Sequence, residues 1–213
     1  MSNADNIFQF KLTLTDSFPE VWRRILVPDE CTLGDLHYVI SYSFCWFQDS
    51  EHEFSQGSRV FGPLVERVVG VKGQRAQGVR EDEHRVLLLD LFRRPGHDMR
   101  YVYRLRDEWR VEVVFEGEQA PVPRGDYPCC IAGANDGPPD GVGGVGRYNE
   151  VVEAFHDAEA WKALCAKLGP CEWQLGFEPT YLDIGDINGA LSLIFPVSEA
   201  AQENPTPSPE VSH

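Results

Sequence analysis

Strand patterns that follow one another directly, instead of alternating with helices, set the architecture of this chain. Residues 7–15, IFQFKLTLT, place Phe8, Phe10, Leu12 and Leu14 on one face and Gln9, Lys11 and Thr13 on the other, the period-two signature of a half-buried strand. VWRRILVP at 21–28 reads as its neighbour, ended by Pro28, and MRYVYRL (99–105) and WRVEVVFEG (109–117) both alternate. Strands that follow one another without a crossover helix pair antiparallel. The prediction is an α+β chain: a single domain with a mostly antiparallel twisted sheet, packed by helices at about 32–47, 149–168 and 184–194.

Each helix has its own signal. Thr32 can cap the first with Asp35 three residues on, ahead of Leu33, Leu36, Ile40, Phe44 and Phe47 at helical spacing. The second carries Val151, Val152, Phe155, Ala158, Trp161, Leu164, Cys165 and Leu168 on one stripe and closes at Gly169-Pro170. Asp183 caps the third. A hairpin is expected about Gln56-Gly57, and VLLLDLF at 86–92 reads as a buried strand that joins 99–105 and 109–117 in three consecutive antiparallel strands. Residues 66–85 are polar and glycine-punctuated, which predicts an exposed excursion. The boundaries that follow are a short flexible stretch at 1–6, one domain over 7–196, and a disordered acidic, proline-containing tail at 197–213.

Charge narrows the partners. The 34 acids against 19 bases give a net charge of −15, which repels a polyphosphate backbone and argues against nucleic acid. Nothing at the amino end reads as a signal peptide, no apolar run is long enough to span a membrane, and six cysteines show no CxxC spacing. A cytoplasmic protein with reduced thiols is expected, and the oligomeric state is left open.

The segment FQFKLTLTDSFPEVWRRILVPDECTLGDLHYVISYSFCW (8–46), followed by EHEF, YPCCIAG, PPDGVGG and DINGAL, resembles the plasmid pRiA4b ORF-3-like family over roughly residues 7–195. That resemblance implies a compact α+β domain and little chemistry. Some members carry labels that link them to resolvases, but this acidic chain offers no helix-turn-helix with basic flanks. The departures from the family pattern are informative. Where relatives read Tyr-Asp-Phe-Gly-Asp-Asp-Trp, this chain has YRLRDEW at 103–109, so Arg104 and Arg106 replace an acid and a glycine. Where relatives read Cys-Pro-Pro-Glu-Asp-Cys-Gly-Gly, Gly137 and Val142 stand in place of both cysteines, and no metal or cofactor is expected.

Two groups of residues carry the functional expectations. Arg100, Arg104 and Arg106, with Val102, share one strand face, and with Tyr103 and Trp109 as aromatic walls they would form a cleft that clamps an anion. The same arginines could equally be solvated partners of Glu83, Asp90, Asp107, Glu108 and Glu112. His52, Glu53 and Asp107 are the proton-transfer candidates, although neighbours on a strand point to opposite faces. His37 is placed on the polar side of its helix, and His84 and His97 in exposed turns. Of Arg23 and Arg24, one is expected to face solvent and the other to fold over the sheet edge, an ion pair accounting for them. Gly141, Gly143 and Gly146 fit a phosphate-loop spacing, but Pro138-Pro139-Asp140 intervenes where a strand is required, so the loop reads as a turn. The leading expectation is a binding or accessory module for a small anionic molecule or a protein partner. The alternative is a metal-free acid–base enzyme using His52, Glu53 or Asp107 with Arg104 and Arg106 holding the substrate.

Overall fold

A computed structural model describes residues 6–46, 51–64, 80–103, 107–123, 125–139, 141–169 and 176–195. Arg104, Arg106 and the expected tail lie outside the described residues. Among the described residues eight strands form one sheet: β1 (Ile7–Leu14), β2 (Trp22–Pro28), β3 (His52–Gln56), β4 (Arg59–Gly62), β5 (Glu81–Asp82), β6 (Asp98–Tyr103), β7 (Trp109–Gln119) and β8 (Cys129–Ala134). Their order is β5-β4-β3-β6-β7-β1-β2-β8. Each pairing is antiparallel except the two-residue parallel contact of β5 with β4. The described residues also form five α-helices, α1 (Leu33–Ser43), α2 (Leu88–Leu91), α3 (Val145–Phe155), α4 (Ala158–Leu168) and α5 (Ile184–Ile194). This is the α+β arrangement that the strand pattern predicts.

Alternation decides which face is covered. Phe8, Phe10, Leu12 and Leu14 of β1, Tyr101 and Tyr103 of β6, and Val111, Val113 and Phe115 of β7 are buried with Leu33, Leu36, Val39 and Ile40 of α1 in one core. On the opposite face Lys11, Arg100, Arg110 and Glu112 are half-buried or exposed. That outer face is open among the described residues. α1 begins with the expected capping box, Thr32 and Asp35 satisfying one another's backbone amides.

Three expected elements differ. Residues 86–92 form no strand: Leu87 makes an isolated bridge to Thr32, and Leu88 and Leu91, one helical turn apart, are both buried by α2. A short apolar run without alternation carries no period to separate strand from helix. The helix expected at 149–168 is two helices, because Asp157 accepts hydrogen bonds from the amides of Glu159 and Ala160 and so starts a new one. Of the expected excursion at 66–85, the described end is packed: β5 pairs with β4, and Glu83 in the following 3-10 turn (Glu83–Arg85) is buried.

The glycine-rich loop is packed against the end of α1. Trp46 donates its indole N–H to the Pro138 carbonyl at 3.0 Å, and Val142 is buried. A Cβ on Gly137 would sit 2.1 Å from the Phe44 carbonyl oxygen, so the position has no room for a side chain here. Gly144, at φ 87°, turns the chain into α3 without a side-chain cap.

Candidate functional site

Strand alternation parts the expected site residues. Register aligns His52 with Tyr103, Glu53 with Val102 and Phe54 with Tyr101 across β3 and β6, and Tyr103 with Trp109 across β6 and β7. His52, Tyr101, Tyr103 and Trp109 therefore point into the core, and Glu53, Arg100 and Arg110 point out. Tyr103 and Trp109 do not wall the arginine face. Both belong to an aromatic column in which Trp46 stacks on Tyr103 (4.8 Å, 1°) and lies 6.0 Å from Trp109. Asp107 is half-buried in the turn between β6 and β7, with its backbone carbonyl against Gly144.

Beneath the sheet lies a polar cluster that the sequence reading missed. His37 of α1, placed on the polar side by that reading, is buried, and its ring stacks on His52 with centroids 3.6 Å apart at 6°. His37 Nδ1 is 2.8 Å from the Tyr101 hydroxyl, and His52 Nε2 donates to both carboxylate oxygens of buried Glu83 at 2.9 and 3.0 Å. Burial drives the His37 pKa down to about 3, with further repulsion from His52 and His84. A signal for His37 existed: it lies four residues after Leu33 and three before Ile40, inside the buried stripe. Glu83 had no such signal, since its burial depends on a partner distant in sequence. Among the described residues no His, Cys, Asp and Glu group is arranged to hold a metal ion.

Above the sheet, Thr15, Glu53, Arg100, Val102, Glu108 and Arg110 line an open groove of about 530 Å³. Most of its charges are already matched. Glu53 accepts from Arg80 at 2.6 Å, and Arg110 pairs with Glu108, a residue held at φ 50°. Arg100 is different. Glu112 faces it in register across β7, yet among the described residues Arg100 has neither an ion pair nor a hydrogen-bond partner for its side chain. The other described arginines all have one, from the Arg24–Glu116 fork to the carbonyls around Arg23. The groove thus offers an exposed guanidinium beside a second one that is partly neutralised.

Comparison with known proteins identifies the lineage. The family model described as plasmid pRiA4b ORF-3-like protein matches residues 6–185. The chain belongs to that family. Within it, the chain is 27% identical over 153 residues to the uncharacterized protein y4hQ of Sinorhizobium fredii, spanning 71% of this chain and 74% of that one. The crystal structure of MM3350 from Methanosarcina mazei, a protein of unknown function, superposes with a TM-score of 0.69 at 28% identity, covering 85% of this chain and 96% of that chain. The pRiA4b ORF-3-like fold is thus shared over nearly the whole of the archaeal protein. No helix among the described residues is long and apolar enough to cross a membrane.

Proposed function

We propose that this chain is a binding module that takes an anionic group into the groove on the open face of its sheet, with Arg100 as the primary contact. The observation that carries this is the exposed Arg100 guanidinium, without a partner among the described residues, in a groove of about 530 Å³. A free guanidinium on a strand keeps its fork available for a bidentate carboxylate or phosphate, whereas one already paired must first be released. Arg110 adds a second positive charge whose reach is limited by Glu108. The acid–base alternative draws less support, since His52 and Glu53 are separated by the thickness of the sheet.

Calorimetric titration with sulfate, phosphate, acetate and citrate tests the reading. Binding is expected to weaken by about 1.5–3 kcal/mol in Arg100→Ala, the range for a hydrogen bond to a charged group, and to fall with added salt. Absence of binding by every anion, or unchanged affinity in Arg100→Ala, removes it. Consumption of a bound compound by the wild type would move the chain to the enzyme class.

A further inference from the structure

Residues Arg80–Arg85 grip β3 from both sides at adjacent positions. On the outer face Arg80 reaches over Gly62, where a Cβ would lie 3.1 Å from its side chain, and bonds Glu53 in the groove. On the inner face Glu83 bonds His52. Between these two anchors the segment has a two-residue ladder, Phe61 with Glu81 and Gly62 with Asp82, and an exposed fork from Arg59 of β4 onto Glu81 at 2.7 and 2.8 Å. Its hold on the sheet therefore depends on side chains, and the inner anchor ends on the stacked imidazoles of His52 and His37.

We propose that Arg80–Arg85 is an acid-released strap, closed while His37 in the stack is neutral and opened when it becomes an imidazolium, and that opening strips Arg80 from Glu53 and weakens the groove for anions. The consequence for the groove rests on the anion-binding reading above; the release of the strap does not. A positive charge on His37, buried against the His52 ring at 3.6 Å and away from water, is accommodated only if the cluster opens to solvent. Among the described residues the titratable groups that face the stack are Glu83 and His84 from the strap, Tyr101 from β6 and Tyr38 from α1. Once Arg80 has left, Glu53 stands in the groove as an uncompensated negative charge beside Arg100.

The sign follows from the proton count. Closed, His37 stays neutral down to a pKa of about 3, while in the open form it titrates near its ordinary 6.5. The open form binds more protons below pH 6.5 and is favoured as pH falls. Going from about pH 7.5 to about pH 5 should raise its population roughly 30-fold from His37 alone.

Hydrogen exchange on the full chain, corrected for the intrinsic rate at each pH, reads this directly. Peptides covering residues 80–85 and 51–56 should lose protection about 30-fold over that interval, while the centres of β1 and β7 do not. His37→Phe, which keeps a ring in the stack without a proton site, should flatten the response to under about 3-fold, and His37→Gln serves if the phenylalanine variant does not fold. Unchanged protection of 80–85 in the wild type, or an equal response in the His37 variants, overturns the strap. The groove is followed with sulfate, a dianion over the whole interval: if it prefers the closed groove, saturating sulfate should restore protection of 80–85 at about pH 5 in the wild type. Strap exchange at about pH 5 that is unchanged by saturating sulfate, in a protein that binds sulfate, overturns the coupling. A strap that opens in a protein that binds no sulfate at any pH supports the release and removes the groove reading alone.

Discussion

Arg23 and Arg24 are neighbours on β2 and meet opposite fates because a strand turns each side chain to the other face. Arg24 stays on the open face and forks onto Glu116 at 2.6 and 2.9 Å, while Arg23 is fully buried. No carboxylate pairs with Arg23 among the described residues; its guanidinium donates to the carbonyls of Ser43 (2.8 Å), Trp22 (2.8 Å) and Ala134 (3.0 Å) and lies over the Phe44 ring. Burial lowers its pKa, and nearby Cys130, Cys45 and Asp136 push it back up. One side chain thus ties β2 to the end of α1 and to β8. Arg23→Ala should destabilise by about 3–5 kcal/mol, since it strands three carbonyls and opens a cavity, and Arg23→Lys should recover little because one ammonium cannot reproduce the fork. Arg24→Ala should cost under about 1 kcal/mol, its partner being partly solvated. Urea unfolding midpoints separate the two, and equal losses would show that Arg23 is not the tie. The expected ion pair was legible in the sequence, but which arginine makes it was not. That depends on which face of β2 meets α1.

At the scale of elements, β8 is the edge of the sheet and should invite another strand, yet α5 lies along it. Asn188 on that helix does for Cys130 what a ninth strand would: its carboxamide accepts from the Cys130 amide at 2.7 Å and donates to the Cys130 carbonyl at 3.0 Å. Asn188→Ala should cost about 1–3 kcal/mol for the unsatisfied backbone pair. It should also raise self-association through the exposed edge, checked by sedimentation across a concentration series. Loss of stability without association would mean that the helix still blocks the edge without the amide. The helix was legible from Asp183 onwards because its cap signal is local. The break between α3 and α4 was equally local, at Asp157, but the apolar stripe runs through it and masks it. For α2 the backbone bonds run to the turn before α1, Leu88 N to Cys31 O at 2.8 Å and Leu89 N to Asp29 O at 3.2 Å, so its form depends on a segment far away in sequence.

The molecule as a whole should be acid-sensitive well above the range in which its carboxylates titrate. A histidine whose folded pKa lies below its unfolded value contributes stability above pH 6.5 and loses it as pH falls toward the folded value of about 3. For His37 the slope is up to about 1.4 kcal/mol per pH unit once pH is well below 6.5. Glu116, held down by its hydrogen bond from Arg24, adds a loss of the same sign only below its ordinary 4.5. Asp136, raised by burial, acts in the opposite sense, favouring the folded state as it protonates. Denaturant unfolding between about pH 7.5 and pH 5.5 should show a declining stability that His37→Phe abolishes; a flat profile in the wild type would mean that His37 meets water in the folded state. The sequence by itself determined the class of fold, the inward and outward faces of β1, β6 and β7, and the caps of α1 and α5, because period, propensity and capping are written within a few residues. Only the tertiary structure decided that Tyr103 and Trp109 lie away from the Arg100 face, that Glu83 reaches His52, and that Arg80 holds Glu53. Each of these is a contact between segments distant along the chain, set by strand order and by which sheet face the helices cover, and no local pattern encodes either.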